Sequence, residues 1–382
     1  MNHTALFHYS LFLLPFAFVG CATLPTVLEK NDAKNVCDIR WETFPADCER
    51  LVSEETDRWD FNFRPYGRTS DLVSDPAIIR GVAEGGEVKA SATALRVACD
   101  ANGWGYLVFC AEPKADEKIA AGEEAPLPNL EMYFLEKDTD NQDPAVYWQF
   151  YTGNGKLEQY DWMSEGRDWR MLKPFVRHEI RRARDGYVFR LDVPWESMWD
   201  RLPIFSDRND NFWRIQVMRW SGGGLTWGGE VHEPARGGYM RWPAFTDAQK
   251  LAIMQTVLDK AWRSFKGWDA EARYSVMGSN KPSGWDMTAV VRTEPYAIDQ
   301  VKAEGSRTYV NYAEDPAFRP VLEKLHAERV ALGAGISGLA KMSPGEREAF
   351  YKKATPMLFN YRLDVEAAYA AHLKDKMLEE GK

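Results

Sequence analysis

Residues 186–198 read GYVFRLDVPWESM, residues 212–220 read FWRIQVMRW, and residues 226–243 read TWGGEVHEPARGGYMRWP. The first two alternate with a period of two, which marks half-buried strands. The third sets an isolated Trp227 among glycines and leads through a Gly-Gly-Tyr turn into another short strand. Nothing in the stretch has the look of a catalytic dyad. It predicts the end of a β-sandwich that presents aromatic and amide groups to a ligand.

The same period extends upstream. Residues 94–99 form one strand, Asp100-Ala101-Asn102-Gly103 is a turn signal suited to the positive φ of hairpins, and residues 106–110 return. Residues 112–129 hold Pro113, Pro126 and Pro128 and predict a loop. A second hairpin follows, with strands over 130–135 and 146–151 around a polar turn, closed by Thr152-Gly153-Asn154-Gly155. Short strands with turn signals and no intervening helices predict an antiparallel, jelly-roll-like β-sandwich over 37–245. At Thr246 the pattern changes. Thr246-Asp247-Ala248-Gln249 is a capping box, and Leu251, Met254, Leu258, Ala261 and Phe265 repeat at helical spacing. Residues 267–317 are mixed. From Arg319 the chain is helical, with a second capping box at Ser343-Pro344-Gly345-Glu346. The fold class is thus mainly β with a C-terminal α-helical extension over 246–382.

The bulk chemistry narrows the function. The 382 residues are 45% hydrophobic and 27% charged, with a formal net charge of -9. That balance argues against a nucleic-acid partner, which needs clustered Lys and Arg. The basic run 177–184 is flanked by acidic residues and reads as a solvated strand entry. Fifteen Trp and sixteen Tyr supply both core and binding platform.

The N-terminus has a separate role. Residues 11–19, LFLLPFAFV, fit a signal-peptide core and are too short to span a bilayer. Phe18-Val19-Gly20-Cys21 resembles the bacterial lipobox, which implies a signal peptide over 1–20, lipidation of Cys21, and a lipid-anchored tether over 21–36. The expected location is the bacterial cell envelope, at the outer membrane or facing the periplasm. Cys37, Cys48, Cys99 and Cys110 remain for an oxidising compartment, and four cysteines allow three pairings. Cys99 and Cys110 flank one hairpin, so that pair is feasible; free buried thiols are the alternative. No C-x-x-C pair is present to suggest structural zinc.

The blocks ALRVACDANGWGYLVF, NLEMYFLEKDTDN, YWQFYTGNG, DGYVFRLDVPW, FWRIQVMRW and HEPARGGYMRW, in that order, resemble the family 9 carbohydrate-binding modules and their DOMON-like relatives. The resemblance spans about half the chain. It implies a sandwich that binds the end of a sugar chain without catalysis, often with structural calcium and with no other cofactor required. Glu131 matches a strand Glu that bonds sugar hydroxyls, Gln216 a strand Gln of the same role, and Trp227 one of two Trp that sandwich the ring. Ala125 stands where the second Trp belongs, Tyr151 where an Arg does, and Gly224 where an Asn does.

The chemistry fits a sugar: a Trp face covers the apolar C–H side of a pyranose while carboxylate and amide groups take its hydroxyls. The candidate binding residues are therefore Trp227, Glu131, Gln216, Tyr151 and Gln149. By type, Tyr151, Trp104 and Trp148 are candidates for the missing aromatic, with Trp148 falling on the apolar side of its strand. Asp138, Asp140 and Asp143 sit with Asn141 in an oxygen-rich turn of the kind calcium prefers, but the EF-hand spacing is absent and a plain hairpin turn is the preferred reading. Met218 and His232 are conceivable haem ligands of the DOMON type. Gly333-Ala334-Gly335-Ile336-Ser337-Gly338 matches G-x-G-x-x-G but follows a helical pattern, so a helix–helix loop is expected there rather than a dinucleotide site. An alternative to glycan binding is an envelope scaffold whose C-terminal helices dock a protein partner.

Overall fold

The computed structural model describes residues 36–44, 58–59, 63–65, 92–122, 130–135, 147–153, 156–162, 177–205, 212–220, 225–227, 238–271, 274–277, 308–312 and 315–380. The strands are β1 (Val36–Asp38), β2 (Arg40–Trp41), β3 (Arg64–Pro65), β4 (Thr93–Cys99), β5 (Gly103–Ala111), β6 (Leu130–Leu135), β7 (Tyr147–Gly153), β8 (Lys156–Trp162), β9 (Arg177–Ala183), β10 (Gly186–Pro194), β11 (Phe212–Arg219), β12 (Leu225–Trp227), β13 (Gly238–Arg241), β14 (Tyr274–Met277) and β15 (Thr308–Asn311). The helices are α1 (Ala115–Ala120), α2 (Asp247–Glu271), α3 (Arg319–Val330), α4 (Leu332–Gly338), α5 (Pro344–Phe359) and α6 (Tyr361–Glu380).

One sheet runs β1-β13-β11-β6-β7-β8, with β12 joining β11 to β3; the other runs β2-β4-β5-β10-β9. Their inner faces share one hydrophobic core, to which β4, β5 and β10 contribute Leu95, Tyr106, Val108 and Phe189, and β6, β11 and β12 contribute Met132, Ile215, Val217 and Trp227. The β4–β5 hairpin forms at the expected place but without the expected positive φ, which neither Asn102 nor Gly103 adopts. The Asp100 carboxylate accepts the Asn102 amide at 2.7 Å, and the Asp100 amide donates to the Gly103 carbonyl at 2.9 Å. That is an Asx-type turn, in which a side chain substitutes for the ladder.

The pairing is not wholly antiparallel. β1 runs parallel to β13, and β2 parallel to β4. Residues 36–42 are a short segment whose two halves join different sheets: the Ile39 amide bonds the Arg241 carbonyl at 2.9 Å, and the Glu42 amide the Cys99 carbonyl at 2.9 Å. The basic run 177–184 is no strand entry but strand β9 (Arg177–Ala183), which among the described residues pairs with β10 alone. Its exposed Glu179 and Arg182 place charge along the side away from β10, a pattern that discourages edge-to-edge association. β8, antiparallel to β7, is a further strand that the sequence reading lacked.

The Cys99–Cys110 pairing is overturned. In the β4–β5 register Cys99 faces Trp104 and Cys110 faces Thr93, at opposite ends of the hairpin. Both are free and buried. Burial pushes the Cys110 thiol up to about 11, against the lowering effect of Arg219. Cys99 is pushed higher still, by burial first and by the Asp100 and Glu42 charges next.

Both capping boxes form. The Gln249 side chain accepts the Thr246 amide at 2.9 Å, and Thr246 Oγ1 accepts the Gln249 amide at 3.3 Å. The Glu346 side chain likewise accepts the Ser343 amide at 2.8 Å. α2 buries Ile253, Met254, Val257, Leu258, Ala261 and Phe265 into the same core as the strands. The G-x-G-x-x-G segment is not a loop but the short helix α4. A Cβ on Gly333 would come within 2.8 Å of the Trp262 ring, and one on Gly335 would run into Phe350. Close helix packing therefore accounts for both glycines.

Candidate functional site

In the β11–β6–β7 ladder, Met218 faces Glu131 and Glu131 faces Tyr151; Gln216 faces Tyr133 and Tyr133 faces Gln149. Residues directly opposite in a ladder lie on one side of the sheet, and so do residues two apart on a strand. Glu131, Gln216, Gln149 and Tyr151 thus occupy neighbouring positions on one face. Glu131 and Gln216 are themselves buried, at 5% and 1% exposure. The side chains of Gln149, Tyr151 and Trp148 lie outside the described residues, as do Ala125, Asp138, Asp140, Asp143, Gly224 and His232.

Trp227 does not join them. Its ladder partner is Val217, one residue removed from Gln216 and Met218, so it takes the opposite face of the sheet. It is fully buried in the hydrophobic core. The sequence expectation of Trp227 stacking on a sugar held by Glu131 and Gln216 is corrected on this point. The physical reason is period two: β12 is only three residues long, and its pairing with β11 turns Leu225 and Trp227 inward while Thr226 faces the other way, opposite Met218. Trp104 is not a substitute. It is 2% exposed and packs edge-on against Trp213 and Trp242, at centroid distances of 6.0 and 5.8 Å.

The tryptophan that meets Glu131 is Trp220. It follows the last residue of β11, continuing the row Gln216, Met218, Trp220. Its indole Nε1 donates to the Glu131 carboxylate at 2.7 Å, and the residue is 40% exposed. The hydrogen bond to a carboxylate orients this partly exposed ring. The signal was present in FWRIQVMRW, since Trp220 has the parity of Gln216. What the sequence lacked was where β11 ends, and hence that this Trp projects beyond the covered part of the face.

Met218, on the same face, is fully buried. Among the described residues no group of three or more His, Cys, Asp or Glu could hold a metal ion, and no helix is long and apolar enough to cross a membrane.

No family model and no curated protein matches the chain. Two solved structures of a family 9 carbohydrate-binding module from Caldicellulosiruptor kristjanssonii are similar to it. The one in complex with glucose is 12% identical with a TM-score of 0.33, over 56% of this chain and 97% of that one. The one in complex with cellotriose is 11% identical with a TM-score of 0.33, over 56% and 95%.

Proposed function

We propose that this chain is a non-catalytic carbohydrate-binding protein of a bacterial envelope, tethered by a lipid on Cys21. The observation that carries the binding reading is Trp220. It is an exposed indole, oriented by a buried carboxylate, at the edge of a strand face that also bears Gln216, Gln149 and Tyr151. An exposed indole face suits the apolar side of a pyranose, and hydroxyls at the ring edge suit the polar groups of the strand face. The ordered sequence blocks of the family 9 modules support the same reading. The anchor rests on the apolar run 11–19 followed by Gly20-Cys21.

A glycan screen on the chain, followed by calorimetry on the best ligand, tests this. Trp220→Ala is expected to weaken binding about tenfold or more, the scale of one lost aromatic contact. Retention of no glycan, or wild-type affinity in Trp220→Ala, counts against it.

A second reading is favoured by α6, whose last turns expose Met377 and Leu378 at 73% and 58%. Here the helices dock a protein partner and the sandwich is scaffold. A partner captured by the wild type and lost in Met377→Lys, from a protein that retains no glycan, would select this reading.

A further inference from the structure

At the end of the five-stranded sheet, away from the Trp220 face, lies a cleft of about 360 Å³. Its floor is a row of small residues: Ala98 and Asp192 flank Gly105 in the ladder, and a Cβ on Gly105 would meet the Leu191 carbonyl at 2.5 Å and the Phe44 ring at 3.3 Å. A glycine there keeps the strands close and leaves bare backbone facing the cleft.

Most of the charges around it are engaged in holding its shape. Glu42 bonds Arg58 and, at 2.8 Å, Arg96. Asp100 takes the Thr43 hydroxyl at 2.7 Å in addition to its turn amide. Asp192 takes Arg190 Nε at 2.8 Å. Glu196 differs. It sits on the 3-10 turn Trp195–Met198, its side chain is 7% exposed, and among the described residues its carboxylate meets one polar partner, the Lys260 ammonium at 3.4 Å. Lys260 projects from α2 and is 46% exposed. The Glu196 carboxylate and the Lys260 ammonium thus stand side by side on the cleft wall. The cleft beside them is where further hydrogen bonds would come from.

We propose that this cleft is a second ligand site, taking a small neutral polyol whose adjacent hydroxyls donate to Glu196 and accept from Lys260. An acceptor and a donor side by side match a vicinal diol, and because their charges cancel the pair favours a neutral ligand. The volume lies at the small end of the range of about 300–1,000 Å³ for small-molecule pockets, which suits one or two sugar rings and not a polymer. The site is independent of Trp220 and stands or falls separately from the glycan reading. It also gives the helical region a role, since α2 supplies Lys260 and Thr256 to one wall.

The test is saturation-transfer NMR on the full chain with D-xylose, D-mannose, sucrose and myo-inositol, and with glycine betaine as a zwitterionic control. At least one polyol is expected to bind the wild type. Glu196→Gln and Lys260→Ala should each weaken it about tenfold or more, the scale of a lost hydrogen bond to a charged group. Thr256→Phe should fill the cleft and abolish binding, and Trp220→Ala should leave affinity unchanged. Lys260→Ala takes the ion pair from the 7%-exposed Glu196 and is expected to lower the melting temperature, whereas Thr256 is half-buried and Thr256→Phe, with a wild-type melting temperature, reads the cleft with the fold intact. Absence of polyol binding overturns the proposal. So does binding that survives both Glu196→Gln and Lys260→Ala, loss only in Trp220→Ala, or binding of betaine alone.

Discussion

Two tryptophans separate what a residue's identity says from what its position says. Trp227 and Trp220 belong to the same stretch, and a glycine-rich setting makes Trp227 the more suggestive of the two. The ladder reverses that impression, placing Trp227 beside Val217 in the core and Trp220 beside Glu131 at an edge. Their energetic roles should differ accordingly. Trp227→Ala is expected to cost about 3–5 kcal/mol, the loss of a buried aromatic with its cavity. Trp220→Ala should cost about 1 kcal/mol, the share of its hydrogen bond to Glu131. Urea denaturation of both variants measures this, and equal costs would contradict the assigned faces. The alternation of Gln216, Met218 and Trp220 was legible in the sequence. That β12 pairs with β11 in the register that buries Trp227 was not, because a three-residue strand carries no periodicity of its own.

At the scale of the element, the device that joins the sheets is Arg219. It is fully buried on the inner face of β11 and reaches across to the other sheet, donating to the Ala92 carbonyl at 3.0 Å, the Ala111 carbonyl at 2.7 Å and the Glu112 carboxylate at 2.6 Å. These partners lie at the start of β4 and the end of β5, so one guanidinium ties the rim of the other sheet, where the Ala92 carbonyl also accepts the Ala111 amide at 2.8 Å. Its planar fork spreads donors over separate nitrogens in a fixed geometry, whereas a lysine offers all its donors from one ammonium nitrogen. Arg219→Ala is expected to destabilise by about 3 kcal/mol or more, because Glu112 and the Ala111 carbonyl lose this donor and a large buried side chain is removed. Arg219→Lys should recover only part of that, and full recovery would mean charge alone matters. The alternation RIQVMRW would put Arg219 inward, yet no sequence pattern states that a charge in an apolar row has acceptors waiting on another sheet. By contrast, the β4–β5 turn and both capping boxes were readable outright, since every group they need lies within four residues.

At the scale of the molecule, strands and helices share one hydrophobic core. The turns after β10 do the joining: Trp199 stacks on Phe359 at 5.8 Å, Phe205 packs on Tyr351 at 5.1 Å, and the Tyr351 hydroxyl donates to the Trp199 carbonyl at 2.8 Å. A chain cut after Phe245 would expose the partners of α2 and α5. It is expected to lose cooperative unfolding, while the intact chain shows a single transition with coincident circular dichroism and fluorescence curves. Two separate transitions in the intact chain would contradict a shared core. The sequence by itself determined the local events: the strand periods, the Asn-Gly hairpin, the helix starts and the change of pattern at Thr246. Each depends on residues close together along the chain, where spacing and capping chemistry suffice. Only the tertiary structure decided which Trp meets solvent, that Cys99 and Cys110 stay apart as free buried thiols, how residues 36–42 divide between two sheets, and that Glu196 and Lys260 stand together in a cleft. Those outcomes depend on register and on contacts between segments tens of residues apart, and nothing in the local pattern fixes either.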